Sequence, residues 1–163
     1  ETIRAGLAAA RWPGRLERRR WRGRDLLIDG AHNPPAAAAL RRELDRLDGG
    51  LAADGPRRWL LGIQRHKQGA QLLENLLQDG DRAAIVPIAD HLSWSVAELA
   101  AAHPALAHQL EAIENPSAGL DWLTMAGPRN PGPLPVVAGS LHLLGSVIPL
   151  LDGDPELDRA CGC

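Results

Sequence analysis

The sequence predicts an α/β fold, a mostly parallel sheet with helices on both faces. Three observations carry that expectation. Short apolar runs that read as buried strands, such as Arg58–Ile63 and Leu134–Ala138, alternate with segments whose apolar residues recur at helical spacing. Glycine and proline fall between these segments and not inside most of them. With 163 residues, 45% hydrophobic and 23% charged, the chain has the size and composition of one domain with a sizeable core. The expected architecture is Rossmann-like, with an antiparallel hairpin strand added at its amino end.

The elements follow in order. Thr2 to Arg11 reads as a short helix with Ile3, Leu7 and Ala10 on one face, stopped by Trp12-Pro13-Gly14. Leu16–Trp21 and Asp25–Ile28 read as strands of a hairpin around Arg22-Gly23-Arg24. A helix is expected from Pro34 to Leu47, with Ala36, Ala39, Leu40, Leu44 and Leu47 at helical spacing and Gly49-Gly50 as its end. Strand Arg58–Ile63, helix Gly69–Leu77, strand Arg82–Ile88 and helix Ser95–Ala102 come next. A short helix running to Leu110, a weak strand Glu111–Glu114 and helix Pro116–Met125 continue the alternation. After a loop over Gly127–Pro135, strand Leu134–Ala138 and helix Leu141–Leu151 close it. The domain is therefore expected over residues 1–151, with 152–163 as a disordered tail.

Composition narrows the function. A net charge of −2 gives no global reason to bind nucleic acid. The basic stretch Arg15 to Arg24 reads either as a solvated face or as a local anion site. The two cysteines, Cys161 and Cys163, form a terminal C-x-C that closes no useful loop and supplies too few ligands for zinc. Free thiols fit a reducing compartment, and a cytoplasmic location is expected. No apolar run reaches the roughly 18 residues that span a bilayer, and no signal peptide is visible. The absence of an initiator Met fits a fragment of a longer chain.

In open parallel α/β sheets, ligands bind outside the carboxyl ends of the strands. Those ends carry Asp29 to Asn33, Gln64 to Lys67, Asp90 with His91 and Ser93, Asn115, and Gly139-Ser140. The run Asp29-Gly30-Ala31-His32-Asn33-Pro34-Pro35 is the most informative. Asn33 suits a helix cap, Pro34 the first helical turn, and Gly30 a sharp exit from the strand. A helix amino end beside His32 favours anions, and Asp29 at the strand tip suits ribose hydroxyls. Asp29 equally suits bracing its own loop as an Asx turn, and the residues alone leave both readings open. The sequence contains no G-x-x-x-x-G-K-[ST] phosphate loop, no G-x-G-x-x-G turn, no G-x-S-x-G elbow and no H-E-x-x-H.

Trp12-Pro13-Gly14-Arg15, the DGAHNP run at 29–34, and Gly139-Ser140-Leu141-His142-Leu143-Leu144-Gly145 resemble, in that order, the carboxy-terminal domain of folylpolyglutamate synthase/dihydrofolate synthase, in the Mur ligase superfamily. The stretch Asp90 to Ser95 also resembles the segment after the third strand in some members. The resemblance spans about residues 1–151. It implies an enzyme that uses ATP and Mg²⁺ to phosphorylate a carboxylate, which the amino group of glutamate then attacks. The acceptor is dihydropteroate, folate or both. It implies a partner domain, the amino-terminal ATPase domain of the same parent chain, which holds the phosphate loop and the metal. The isolated chain is then inactive, with no catalytic residue or metal ligand of its own. Carried over by motif, Arg15, Asp29 and His32 contact ATP, and His32 and Ser140 the glutamate. One departure stands out: Gln64-Arg65-His66-Lys67-Gln68 replaces a D-K-D-like acidic segment, keeping only Lys67.

Two other readings use the same residues. One is a stand-alone α/β module that binds a nucleotide or an amino acid without chemistry. The other is the matching domain of a different Mur-type peptide ligase.

Overall fold

The computed structural model describes residues 14–51, 55–125 and 132–154. The expected helix Thr2–Arg11, the Trp12-Pro13 stop, most of the loop from Gly127 and the tail from residue 155 lie outside them. Six strands form one sheet in the order β1-β2-β6-β3-β4-β5. They are β1 (Glu17–Trp21), β2 (Arg24–Ile28), β3 (Arg58–Leu61), β4 (Arg82–Ile85), β5 (Leu110–Ala112) and β6 (Val136–Ala138). β1 pairs antiparallel with β2, and every other pairing is parallel. The α/β class, the parallel body and the amino-terminal hairpin are those expected.

Among the described residues five helices cover the sheet: α1 (Pro34–Leu51), α2 (Gly69–Leu76), α3 (Val96–Ala102), α4 (Pro116–Thr124) and α5 (Leu141–Asp152), with a 3-10 turn over Pro104–Gln109. Strand residues alternate between two cores. Leu27, Trp59, Leu61, Ala83, Ile85, Val136 and Ala138 meet Leu40 and Leu44 of α1, Leu72 and Leu76 of α2 and Leu99 of α3. Leu26, Ile28, Leu60, Ala84 and Val137 meet Leu120 and Leu123 of α4 and Leu143, Val147 and Leu151 of α5. Both faces of the central strands are therefore buried, which is why their sequences are apolar throughout.

Several boundaries differ from expectation, the strand expected at Glu111–Glu114 lying at Leu110–Ala112 among them, and the ends of α1, β3, β4 and α5 have local reasons. α1 runs through Gly49-Gly50 to Leu51. Glycine costs about 1 kcal/mol in a helix interior, but Asp48, just before the pair, is tied to the buried Arg57 guanidinium. β3 and β4 leave the ladder before Ile63 and Ile88, although both isoleucines are buried. Apolarity there reports packing over the carboxyl edge, not strand pairing. α5 continues to Asp152, and the buried Asp154 accepts from the Arg22 backbone N–H, fastening this end of the chain to the hairpin turn.

The amino edge of the sheet is organised by Asp81, just before β4. Its buried carboxylate accepts from the Arg57 N–H (2.7 Å), the Trp59 indole (3.0 Å), the Gln78 N–H (3.1 Å) and Arg41 (3.4 Å). Four donors on one carboxylate lock β3, β4 and the α2–β4 turn at the edge opposite the candidate site.

Candidate functional site

Neighbouring strands β2 and β6 send their following helices to opposite faces, α1 to one core and α5 to the other. Such a reversal opens a crevice at the carboxyl edge, the place where α/β sheets bind ligands. The crevice is bounded by the loops after β2, β6 and β3. Gly139 N–H donates to the Ala31 carbonyl (2.8 Å), and Gly62 N–H donates weakly to Ala138 (3.4 Å). Gly30 leaves room for Leu141: a Cβ there would lie 2.5 Å from Leu141 Cδ2. The DGAHNP and Gly139-Ser140-Leu141 segments, distant in sequence, thus form one rim.

Asp29 is buried, and both its oxygens accept backbone N–H bonds, Oδ2 from Leu16 (2.9 Å) and Oδ1 from Ala31 (2.8 Å). It braces its own loop and also holds the chain entering β1, where Leu16 adopts the left-handed φ of 42°. Each carboxylate oxygen keeps a second lone pair, so bracing leaves acceptor capacity for a ligand hydroxyl. Arg15, exposed, shares with Asp29 a shallow depression of about 240 Å³ along α1, lined also by Leu16, Ala36, Ala39, Leu40 and Glu43. Four of the hairpin arginines are paired at the surface: Arg18 and Arg20 with Asp25, Arg19 with Glu17, and Arg22 with Asp121. Arg15 is the member of the basic stretch that lines this depression beside Asp29.

His32 is half-buried, with Nδ1 2.8 Å from the Gly30 carbonyl. A carbonyl only accepts, so Nδ1 carries the proton and Nε2 is the free acceptor of the neutral ring. Asn33 Oδ1 accepts from the Ala36 N–H (2.9 Å), capping α1 as its sequence indicates. Ser140 is buried and caps α5 by accepting from the His142 N–H (3.1 Å). The Gly139–Ala31 bond sets His32 and Ser140 on either side of one contact. Arg15 and Asp29 thus line one depression, and the backbones leading into His32 and Ser140 are joined one residue before each.

The Gln64–Gln68 segment is fastened to the β4–α3 loop. Gln64 bridges Ser93, Arg65 N–H donates to Leu92 O (2.8 Å), and the Trp94 indole donates to Lys67 O (3.0 Å). Arg65 lies over the Trp94 ring at 4.1 Å and pairs with Glu98 at 2.7 Å. Bonds from the Ser95 backbone N–H and hydroxyl, with the Arg65 charge, hold the Glu98 carboxyl below its usual range. One contact on this rim is not legible in sequence. His91 and His142 stack with ring centroids 4.0 Å apart. Both follow strand ends, but only the strand order shows that they meet.

Fold and rim together define a class: a doubly wound α/β domain with a two-loop ligand crevice at its switch point. Residues 15–150 match the family described as dihydrofolate synthetase, C-terminal domain, and the chain belongs to that family. It is 37% identical over 90 residues to the dihydrofolate synthase/folylpolyglutamate synthase of Mycobacterium tuberculosis (strain ATCC 25618 / H37Rv), covering 55% of this chain and 16% of that protein. The structure of the Mycobacterium tuberculosis folylpolyglutamate synthase complexed with ADP and AMPPCP superposes with a TM-score of 0.75 at 28% identity, over 94% of this chain and 35% of that one. The bifunctional folylpolyglutamate synthase/dihydrofolate synthase of Yersinia pestis, complexed with AMPPNP and Mn ion, gives 0.74 at 25% identity, over 92% and 34%. The chain thus spans about a third of the structures it matches.

Proposed function

We propose that this chain is the carboxy-terminal domain of an ATP-dependent ligase that joins L-glutamate to dihydropteroate, folate or both through an acyl phosphate. The observation that carries the reading is the single rim built from DGAHNP and Gly139-Ser140-Leu141, in a chain that belongs to a dihydrofolate synthetase family. Arg15 reaches the ATP phosphates with a fixed charge and forked donors. Asp29 takes the ribose hydroxyls on its remaining lone pairs, and His32 and Ser140 stand near the phosphates and the incoming glutamate. The described residues contain no group of three His, Cys, Asp or Glu side chains fit to hold a metal. In this reading Mg²⁺ is held with the phosphate loop by the amino-terminal ATPase domain of the parent chain. Closure of the two domains orients the reactants and excludes water. No helix among the described residues is long and apolar enough to cross a membrane.

The test is Asp29→Ala in the full-length enzyme. The KM for ATP is expected to rise about tenfold or more, the cost of charge-assisted hydrogen bonds, while the KM for glutamate changes little. An unchanged ATP KM removes the assigned role. The isolated chain is expected to show neither ATPase nor ligase activity. Tight ATP binding to it in calorimetry would favour a stand-alone module instead.

A further inference from the structure

His91 and His142 come from the loops after β4 and β6, strands separated in the sheet by β3. Two strand spacings put their backbones roughly 10 Å apart, yet their ring centroids lie 4.0 Å apart with planes at 50°. Both side chains therefore lean over the carboxyl end of β3. Beneath this edge Gly62 lets Ile88 and Leu143 close over the end of β3: a Cβ there would sit 3.1 Å from Ile88 Cγ1 and 3.3 Å from Leu143 Cδ2. Ile88 O accepts the His91 N–H (3.2 Å), and the His142 N–H donates to Ser140 Oγ (3.1 Å). The pair is thus an exposed bridge between two loops, beside Ser140.

We propose that the His91–His142 pair binds a carboxylate of the amino-acid substrate, an inference that rests on the ligase reading above. A neutral imidazole offers one ring N–H and a protonated one two, so adjacent rings can hold both oxygens of one carboxylate. Protonation of either ring makes those bonds charge-assisted. The surroundings fit an anion. Arg65, His66 and Lys67 follow β3 at the same edge, and the nearby Glu98 is engaged by Arg65 and Ser95. Asp90 is the acidic neighbour, and it is exposed. Leu92 and Leu141, 84% and 56% exposed, flank the rings and would shield a bound carboxylate from water once covered. A metal is a poorer fit, because no third His, Cys, Asp or Glu among the described residues completes a ligand set. Glutamate has two carboxylates besides its reacting amine. With Ser140 and His32 at one end, the pair holds the other.

The test is steady-state kinetics of the full-length enzyme with His91→Ala, His142→Ala and the double variant. Each single change is expected to raise the KM for glutamate about tenfold, with kcat and the ATP KM within about threefold. His→Asn, which keeps one donor, is expected to recover part of the loss. Both rings are exposed, so the melting temperature is expected to hold. An unchanged glutamate KM in both single variants overturns the role of the pair, and so does a loss of kcat that tracks a lowered melting temperature. A wild-type enzyme that ligates no glutamate overturns the ligase reading itself.

Discussion

Gly139 and Gly62 meet at the carboxyl edge with no space for a side chain between them: a Cβ on Gly139 would lie 2.8 Å from the Gly62 carbonyl oxygen. Gly139 also has a φ of +103°, a region that L side chains rarely enter. The contact fixes how closely the β6 loop approaches β3, and so where Ser140 and His142 stand.

Gly139→Ala is therefore expected to lower stability by about 2–4 kcal/mol, from backbone strain and overpacking together. Gly145 is the control. It lies inside α5 with nothing within 4 Å of an added Cβ. Gly145→Ala is expected to stabilise by up to about 1 kcal/mol through helix propensity. Urea unfolding of the two variants reads both signs in one experiment.

Asp81 gives a second prediction, at the opposite edge. Its carboxylate is the shared acceptor for Arg57, Trp59, Gln78 and Arg41. Asp81→Ala leaves the buried Arg57 N–H and Trp59 indole without it and is expected to cost about 3 kcal/mol or more. Asp81→Asn, which keeps one acceptor oxygen, is expected to cost less. Equal losses in denaturant melts would show that shape, not acceptance, matters there.

A third prediction concerns acid. Ser95 and Glu98 form a reciprocal capping box at the start of α3, and the folded Glu98 carboxyl ionises below its reference value of 4.5. A depressed carboxyl contributes its full stabilisation above the unfolded pKa and loses it as pH falls through the folded one. The window therefore lies below 4.5. A carbon-detected NMR titration is expected to place the Glu98 midpoint below that value. Ser95→Ala should move it upward, since the Ser95 hydroxyl is one of its causes. A midpoint unmoved by that substitution would leave the backbone N–H and Arg65 as the operative partners.

Much of this was legible in the chain because it is local. Asn33 before Pro34 announces its own cap, and Arg22-Gly23-Arg24 between two strand-like runs gives the hairpin. The strand-end rule places Asp29, His32 and Ser140 on one edge. What stayed hidden is non-local. Gly49-Gly50 looks like a stop unless Arg57 is known to hold Asp48. The Asx bond of Asp29 to Ala31 is local, but its second partner, Leu16 thirteen positions upstream, is not. The His91–His142 contact depends on strand order, which hydrophobic periodicity does not encode.

That order has a consequence for how the chain is made. β6, the latest strand in sequence, takes the place between β2 and β3, two of the early ones. Until Val136–Ala138 leave the ribosome, the hairpin with β2 and the β3–β4 pair are two separate ribbons, each with an open edge facing a vacancy. Such edges invite pairing with other chains, and contacts this distant in sequence form slowly. The strand that joins the two ribbons also delivers Gly139 and Ser140, so the binding rim and a closed sheet arrive in the same folding event.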